Sequence, residues 1–88
     1  MCEWDDDKRA ANIEKHGVDF SVARDFDWDT ALTLEDDRQD YGEPRFVSIG
    51  FIGPRLHVLV WTTRSERLRV ISLRKANARE VQRYAESI

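Results

Sequence analysis

Eighty-eight residues are enough for one modest core, so residues 1–88 are expected to form a single domain. Apolar residues make up 41% and charged residues 35% of the chain, the balance of an unusually charged globular protein, and no apolar run approaches the ~18 residues of a membrane span. The segment Met1-Cys2-Glu3-Trp4-Asp5 lacks a secretory pattern, and a single cysteine, Cys2, rules out an internal disulfide; both lead to an expected cytoplasmic location.

The net charge of −3 hides a division along the chain. Residues 1–44 hold 5 Lys/Arg and 14 Asp/Glu (−9), whereas residues 45–88 hold 9 and 3 (+6). Such a chain can turn a basic face toward a polyanion and its acidic half elsewhere; alternatively, the two halves neutralise each other across the fold.

The first predicted element is a helix over Asp6–His16, with carboxylates at its N-terminal end, Lys15 at its C-terminal end and Gly17 as its stop. Trp4 is expected to act as a hydrophobic staple for it. Asp19 caps a second, shorter helix over Phe20–Phe26, with Val22, Ala23 and Phe26 as its apolar stripe. Sheet begins at Ala31-Leu32-Thr33-Leu34, and a polar loop runs from Glu35 to Pro44. Strands are predicted over Arg45–Ile52, Leu56–Thr63 and Leu68–Leu73. The last two are joined so closely that they must be antiparallel neighbours. Asn77-Ala78-Arg79-Glu80 resembles a capping box and opens a closing helix with Val81, Tyr84, Ala85 and Ile88 on one face. The expected fold is α+β: a four-stranded antiparallel sheet with two N-terminal helices and one C-terminal helix.

The stretch from Thr62 to Ala76 threads Arg64, Arg67, Arg69, Arg74 and Lys75 through positions that otherwise look like sheet core. Three groups of residues here resemble the signatures of one family, the BrnT toxins. These are Trp4-Asp5-x-x-Lys8-x-x-x-Asn12-x-x-Lys15-His16-Gly17-Val18-x-Phe20; Tyr41-Gly42-Glu43-Pro44-Arg45 with Ile49-Gly50; and Thr62-x-Arg64 with Arg69-Val70-Ile71-Ser72-Leu73-Arg74-Lys75-Ala76, then Glu80 and Tyr84. The resemblance covers nearly the whole chain in register. It implies a RelE-like fold, a ribonuclease toxin that blocks translation and growth, and a cognate DNA-binding antitoxin through which alone operator DNA is reached. It implies no cofactor.

RNA cleavage by attack of a 2′-hydroxyl needs a base, an acid and cations for the developing phosphorane charge. Arginine suits the third role, being permanently protonated with a fork that matches phosphate oxygens. Arg64, Arg74 and Arg45 are therefore catalytic candidates, with Glu43 as a candidate base and His16 as a candidate acid or base. Arg69, Lys75, Lys8 and Tyr84 are candidates for RNA binding. Simpler roles stand beside these: His16 as a cap for helix carbonyls, Glu43 as a group orienting Arg45, Tyr84 as core packing, His57 as a packed strand residue and Arg67 as a solvated turn residue. Simple alternation places Arg69 and Arg74 on opposite faces and Arg64 at the far end, so one arginine is expected to pair with Asp5 or Asp7. Cys2, His16 and His57 have no metal-ligand spacing, so no metal site is expected. A non-catalytic module that docks a partner chain is the alternative function. An antitoxin is expected to cover an apolar surface near Phe51, Ile52 and Trp61.

Overall fold

The first helix forms where its capping chemistry predicts. In the computed structural model, which describes residues 2–37 and 42–87, α1 spans Asp6–His16. The Asp5 carboxylate accepts the Asp7 and Lys8 amides, and Gly17, at φ +71°, donates its own amide to the Ile13 carbonyl at 2.7 Å. These contacts satisfy backbone groups that a helix end leaves open.

Asp19 has two tasks. Its carboxylate accepts the Ser21 amide and receives a fork of hydrogen bonds from Arg9, both 2.8 Å. The segment that it caps is a 3-10 helix, Phe20–Asp25, rather than the expected α-helix. The buried residues show why: Phe20, Ala23 and Phe26 recur every third position, the 3-10 period, while Val22 is only half-buried.

The sheet among the described residues has five strands in the order β1-β5-β4-β3-β2, one more than expected. β2 (Leu32–Glu35), β3 (Phe46–Ile52), β4 (Arg55–Arg64) and β5 (Arg67–Lys75) are successively antiparallel. The added strand, β1 (Cys2–Trp4), lies parallel to β5, with Cys2 opposite Leu68 and Trp4 opposite Val70, so the sheet is mixed. Three residues are too few to show a period of two, which is why no alternation in the sequence marks β1. The Trp4 ring meets that of Phe20 edge-on at 6.3 Å. The closing helix, α2 (Ala78–Glu86), carries the expected capping box of Asn77 and Glu80. Tyr41 and Ile88 lie outside the described residues.

The sheet's two faces are covered unequally. α1 and the 3-10 helix bury one face around Phe20, Phe26, Leu59, Val70 and Leu73. Gly50 admits the Phe26 ring, since a Cβ there would lie 2.6 Å from Phe26 Cζ. On the other face, α2 covers one end, where Tyr84 packs with Phe51, Leu56 and Ala76. Among the described residues, no helix covers the remainder of that face, hereafter the open face.

Asn12 joins the layers. Its buried amide donates to the carbonyls of Val18 (2.9 Å) and Leu73 (2.7 Å) and accepts the Leu73 amide at 3.2 Å. The side chain therefore pairs with the β5 edge as a strand would, just beyond the end of β1. Replacing Asn12 with Ala strands three buried backbone groups and is expected to cost about 3 kcal/mol, given roughly 1–3 for each unsatisfied group and partial relaxation. Chemical denaturation checks this; a loss below about 1 kcal/mol would show that the clamp is dispensable.

The Arg9 fork holds the Asp19 carboxyl well below its usual range, with help from the Ser21 amide. A folded-state pKa below the unfolded one stabilises above the unfolded value, and that stability is lost as pH falls through ~4 and below. Asp19→Asn should therefore unfold with a shallower acid limb than the parent while differing most from it near neutrality, as measured by urea melts across pH.

Candidate functional site

A single irregularity decides where the arginines point. β4 and β5 pair Val60 with Ser72 but Trp61 with Val70, leaving Ile71 as an extra residue on β5. A bulge of this kind resets the alternation of side chains along one strand. Arg69 lies opposite Thr62 and Arg74 opposite Val58, and positions 58 and 62 share a face of β4. Arg69 and Arg74 thus stand on the same, open face, contrary to the simple alternation expected from sequence. Arg64, opposite Arg67, is on it too.

Each of these three arginines holds a carboxylate. Arg74 forms a bidentate pair with Glu80, both bonds 2.7 Å. Glu80 also accepts the Asn77 amide, so one side chain caps α2 and ties it to β5. Arg74 holds the Glu80 carboxyl below its ordinary range, and Glu80 in turn raises the Arg74 guanidinium. Arg69 pairs with Glu3 at 2.9 Å across β1, a different N-terminal carboxylate from the expected Asp5 or Asp7. Arg64 pairs with Glu43 at 3.1 Å.

Glu43 and Arg45 are brought to the hairpin end of the face by Thr62. This threonine is fully buried and donates its hydroxyl to the Pro44 carbonyl, fastening the segment ahead of β3 to β4. Arg45 directly precedes β3, and its carbonyl accepts the Asp36 amide, extending the β2–β3 ladder by one step. Alternation from Val47 places Arg45 on the open face. The hairpin turns through Ser65 and Glu66, both at positive φ (53° and 65°), a two-residue turn whose twist matches the strands.

Arg64 and Arg74 stand apart: positions 64 and 58 of β4 are six residues distant, about 20 Å along a strand. The face therefore has a hairpin end, with Glu43, Arg45 and Arg64, and a helix end, with Arg74, Glu80 and Arg83. A cleft of about 530 Å³ occupies the helix end, floored by Val47, Ile49, Val58 and Val60. Arg74 and Arg83 border it on one side, and Glu35, Asp36 and Asp37 on the other.

The other candidates are dispersed. His16 lines a shallow hollow of about 290 Å³ with Lys8, Lys15 and Ser72, at the β5 edge rather than on the open face. It does not take the place of the Gly17 amide, which satisfies the Ile13 carbonyl. Lys75 lies opposite His57, on the face that α1 covers. His57 is buried, with Nδ1 2.8 Å from the Arg55 carbonyl. Tyr84 is 5% exposed, and its hydroxyl donates to the Thr30 carbonyl at 2.7 Å, so its ring is a packing group.

Sequence reasoning missed two contributors. Arg83 had a findable signal, since it lies three residues after Glu80 and so shares its helical face. The anchoring role of Thr62 had none, because its partner is a backbone carbonyl eighteen residues away. Among the described residues, no group of three or more His, Cys, Asp and Glu is arranged to hold a metal ion, and no helix is long and apolar enough to cross a membrane.

No curated protein matches the chain. Residues 4–80 match the model of a family described as the ribonuclease toxin, BrnT, of type II toxin–antitoxin systems. That span takes in α1, all of β2 to β5 and the capping residue Glu80. With the three signatures, the α+β sheet and the arginine-bearing face in agreement, the chain belongs to the BrnT family of ribonuclease toxins.

Proposed function

We propose that this toxin cleaves RNA on the open face of its sheet without a metal ion, by attack of a ribose 2′-hydroxyl on the neighbouring phosphate. The observation that carries this is the bulge at Ile71, which gathers Arg64, Arg69 and Arg74 onto one face. The hairpin end is the better place for the chemistry. It combines a carboxylate, Glu43, with Arg64 and Arg45 at one location, and the Arg64 bond falls on Oε2, one of the two carboxylate oxygens that can accept a proton. Glu43 is assigned as the base, and Arg64 and Arg45 as the stabilisers of phosphorane charge.

Arg69, near the turn on β5 and paired with Glu3, extends this cation set toward the β1 edge. Arg74, about 20 Å away, grips a different phosphate from the reacting one. Its fork to Glu80 uses two of five guanidinium N–H groups and a long bond from Nη1 to the Lys75 carbonyl (3.5 Å) a third, so two donors can meet a phosphate while Glu80 keeps the plane oriented. His16 and Lys8, in the hollow at the β5 edge near Ser72, lie away from the hairpin end, so they are assigned to contacts with the RNA backbone beyond the reacting phosphate rather than to proton transfer. Cleavage of cellular RNA in the cytoplasm then arrests translation and growth, and a DNA-binding antitoxin both neutralises the toxin and carries the pair to operator DNA.

Purified protein should cleave RNA equally well with and without EDTA. Arg64→Ala is expected to lower kcat by about 10²-fold, the scale of one lost charge-stabilising donor. Arg74→Ala should act mainly through KM, lowering kcat/KM by about tenfold, with circular dichroism unchanged. Full kcat in both Arg64→Ala and Glu43→Gln would move the chemistry away from the hairpin end. Absence of cleavage by the parent protein would leave the partner-docking function in its place.

A further inference from the structure

Behind α2, on the side away from the cleft, a groove of about 930 Å³ runs between the helix, the β3–β4 turn and the segment leading into β2. Phe51 and Leu56 form one wall, and Val81 and Ala85 the other, with Tyr84 between them. The closing helix therefore uses only part of its apolar stripe. Tyr84 is buried, whereas Val81 is 44% exposed and Ala85 is exposed beside it. A lone exposed valine needs no explanation, but an apolar groove with helix and sheet walls marks a binding surface.

Charge at the rim selects the occupant. Asp27 and Asp29 stand at one end, and Asp25, just upstream, is exposed as well. The Asp27 carboxylate accepts the Asp29 amide and the Thr30 hydroxyl, which fixes it in place. This end repels a polyanion and attracts lysine or arginine. The other end holds Arg55, whose guanidinium reaches the Ala76 carbonyl at 3.4 Å. A matching occupant has an apolar strip and a cationic end.

Resting on membership in a toxin–antitoxin family, we propose that this groove receives an amphipathic helix of the cognate antitoxin. Its apolar side chains lie against Phe51, Val81 and Ala85, and its lysines or arginines face Asp27 and Asp29. The surface is not the one expected from sequence. Phe51 belongs to it, but Ile52 packs with the α1-side core and Trp61 stacks on Phe46 on that same side, so the three expected residues do not form one patch. The same helix carries Glu80 and Arg83 to the cleft, so the groove's occupant touches the back of an element that borders the RNA face.

The test titrates the purified toxin with its cognate antitoxin by calorimetry, using the parent, Val81→Asp and the double variant Asp27→Lys/Asp29→Lys. Val81→Asp is expected to weaken binding at least about tenfold, as loss of an interface anchor does, while RNA cleavage without antitoxin stays within about twofold of the parent. The lysine pair should also weaken binding and reduce its salt dependence. If Val81→Asp fails to fold, Ala85→Arg and the lysine pair carry the test. Parental affinity in all of these variants would overturn the proposal. So would a change in the mass of the toxin alone on Val81→Asp with antitoxin affinity unaltered, which would make the groove a contact between copies. An antitoxin that does not bind the parent would instead remove the toxin assignment itself, and the groove proposal with it.

Discussion

Everything in this fold depends on one side chain that behaves as a strand. β5 sits between β4 and the three-residue β1, and past the end of β1 its outer edge would be left with unpaired backbone groups. Asn12 fills that gap by offering a donor and an acceptor to the same residue, Leu73, while a second donation holds the turn at Val18. An amide is suited to this because it copies the donor–acceptor pair of a peptide group. Aspartate lacks the donor and leucine lacks both. The clamp sets α1 against the sheet and also hides an edge that could otherwise pair with another chain.

With β5 held at both edges, its bulge acquires functional weight. An extra residue in a free edge strand is merely absorbed, but in an interior strand it must rotate the residues beyond it relative to those before it. Arg69 and Arg74 therefore share the open face because Ile71 has no partner on β4. The carboxylates that meet these arginines come from three separate places: Glu3 on β1, Glu43 ahead of β3 and Glu80 on α2. Such pairs contribute little stability where they are exposed. What they do supply is orientation: each carboxylate holds a long, otherwise flexible side chain in one plane on this face.

Much of the architecture was legible in the sequence wherever local chemistry decides the outcome. Asp5, Gly17, Asp19 and Asn77 all cap as their residue types predict, and the α1 boundaries match. Features set by distant partners, or by counts too small to have a period, could not be read. β1 is three residues long; the 3-10 helix differs from an α-helix only by its three-residue stripe; the Ser65-Glu66 turn lacks the Asn-Gly that would announce it. The candidate site suffered most from the bulge. One unpaired residue reversed the side assigned to Arg74, and no feature of Arg69-Val70-Ile71-Ser72-Leu73-Arg74 signals where the extra residue falls. Family resemblance supplied the identities of the basic residues, and only the register could supply their grouping.

The parallel pairing of β1 with β5 also sets the order in which the molecule can be completed. Cys2 meets Leu68, and Asn12 meets Leu73 across sixty-one residues, so β1 and α1 wait for β5 before they acquire these partners. Contacts of such long separation are slow to form and cannot be made early. The arginines of this face come from β4 and β5, and Arg83 from α2, all of which are synthesised after the acidic residues 1–44. Within this domain the basic face is therefore completed only once β5 has emerged to pair with both β4 and β1.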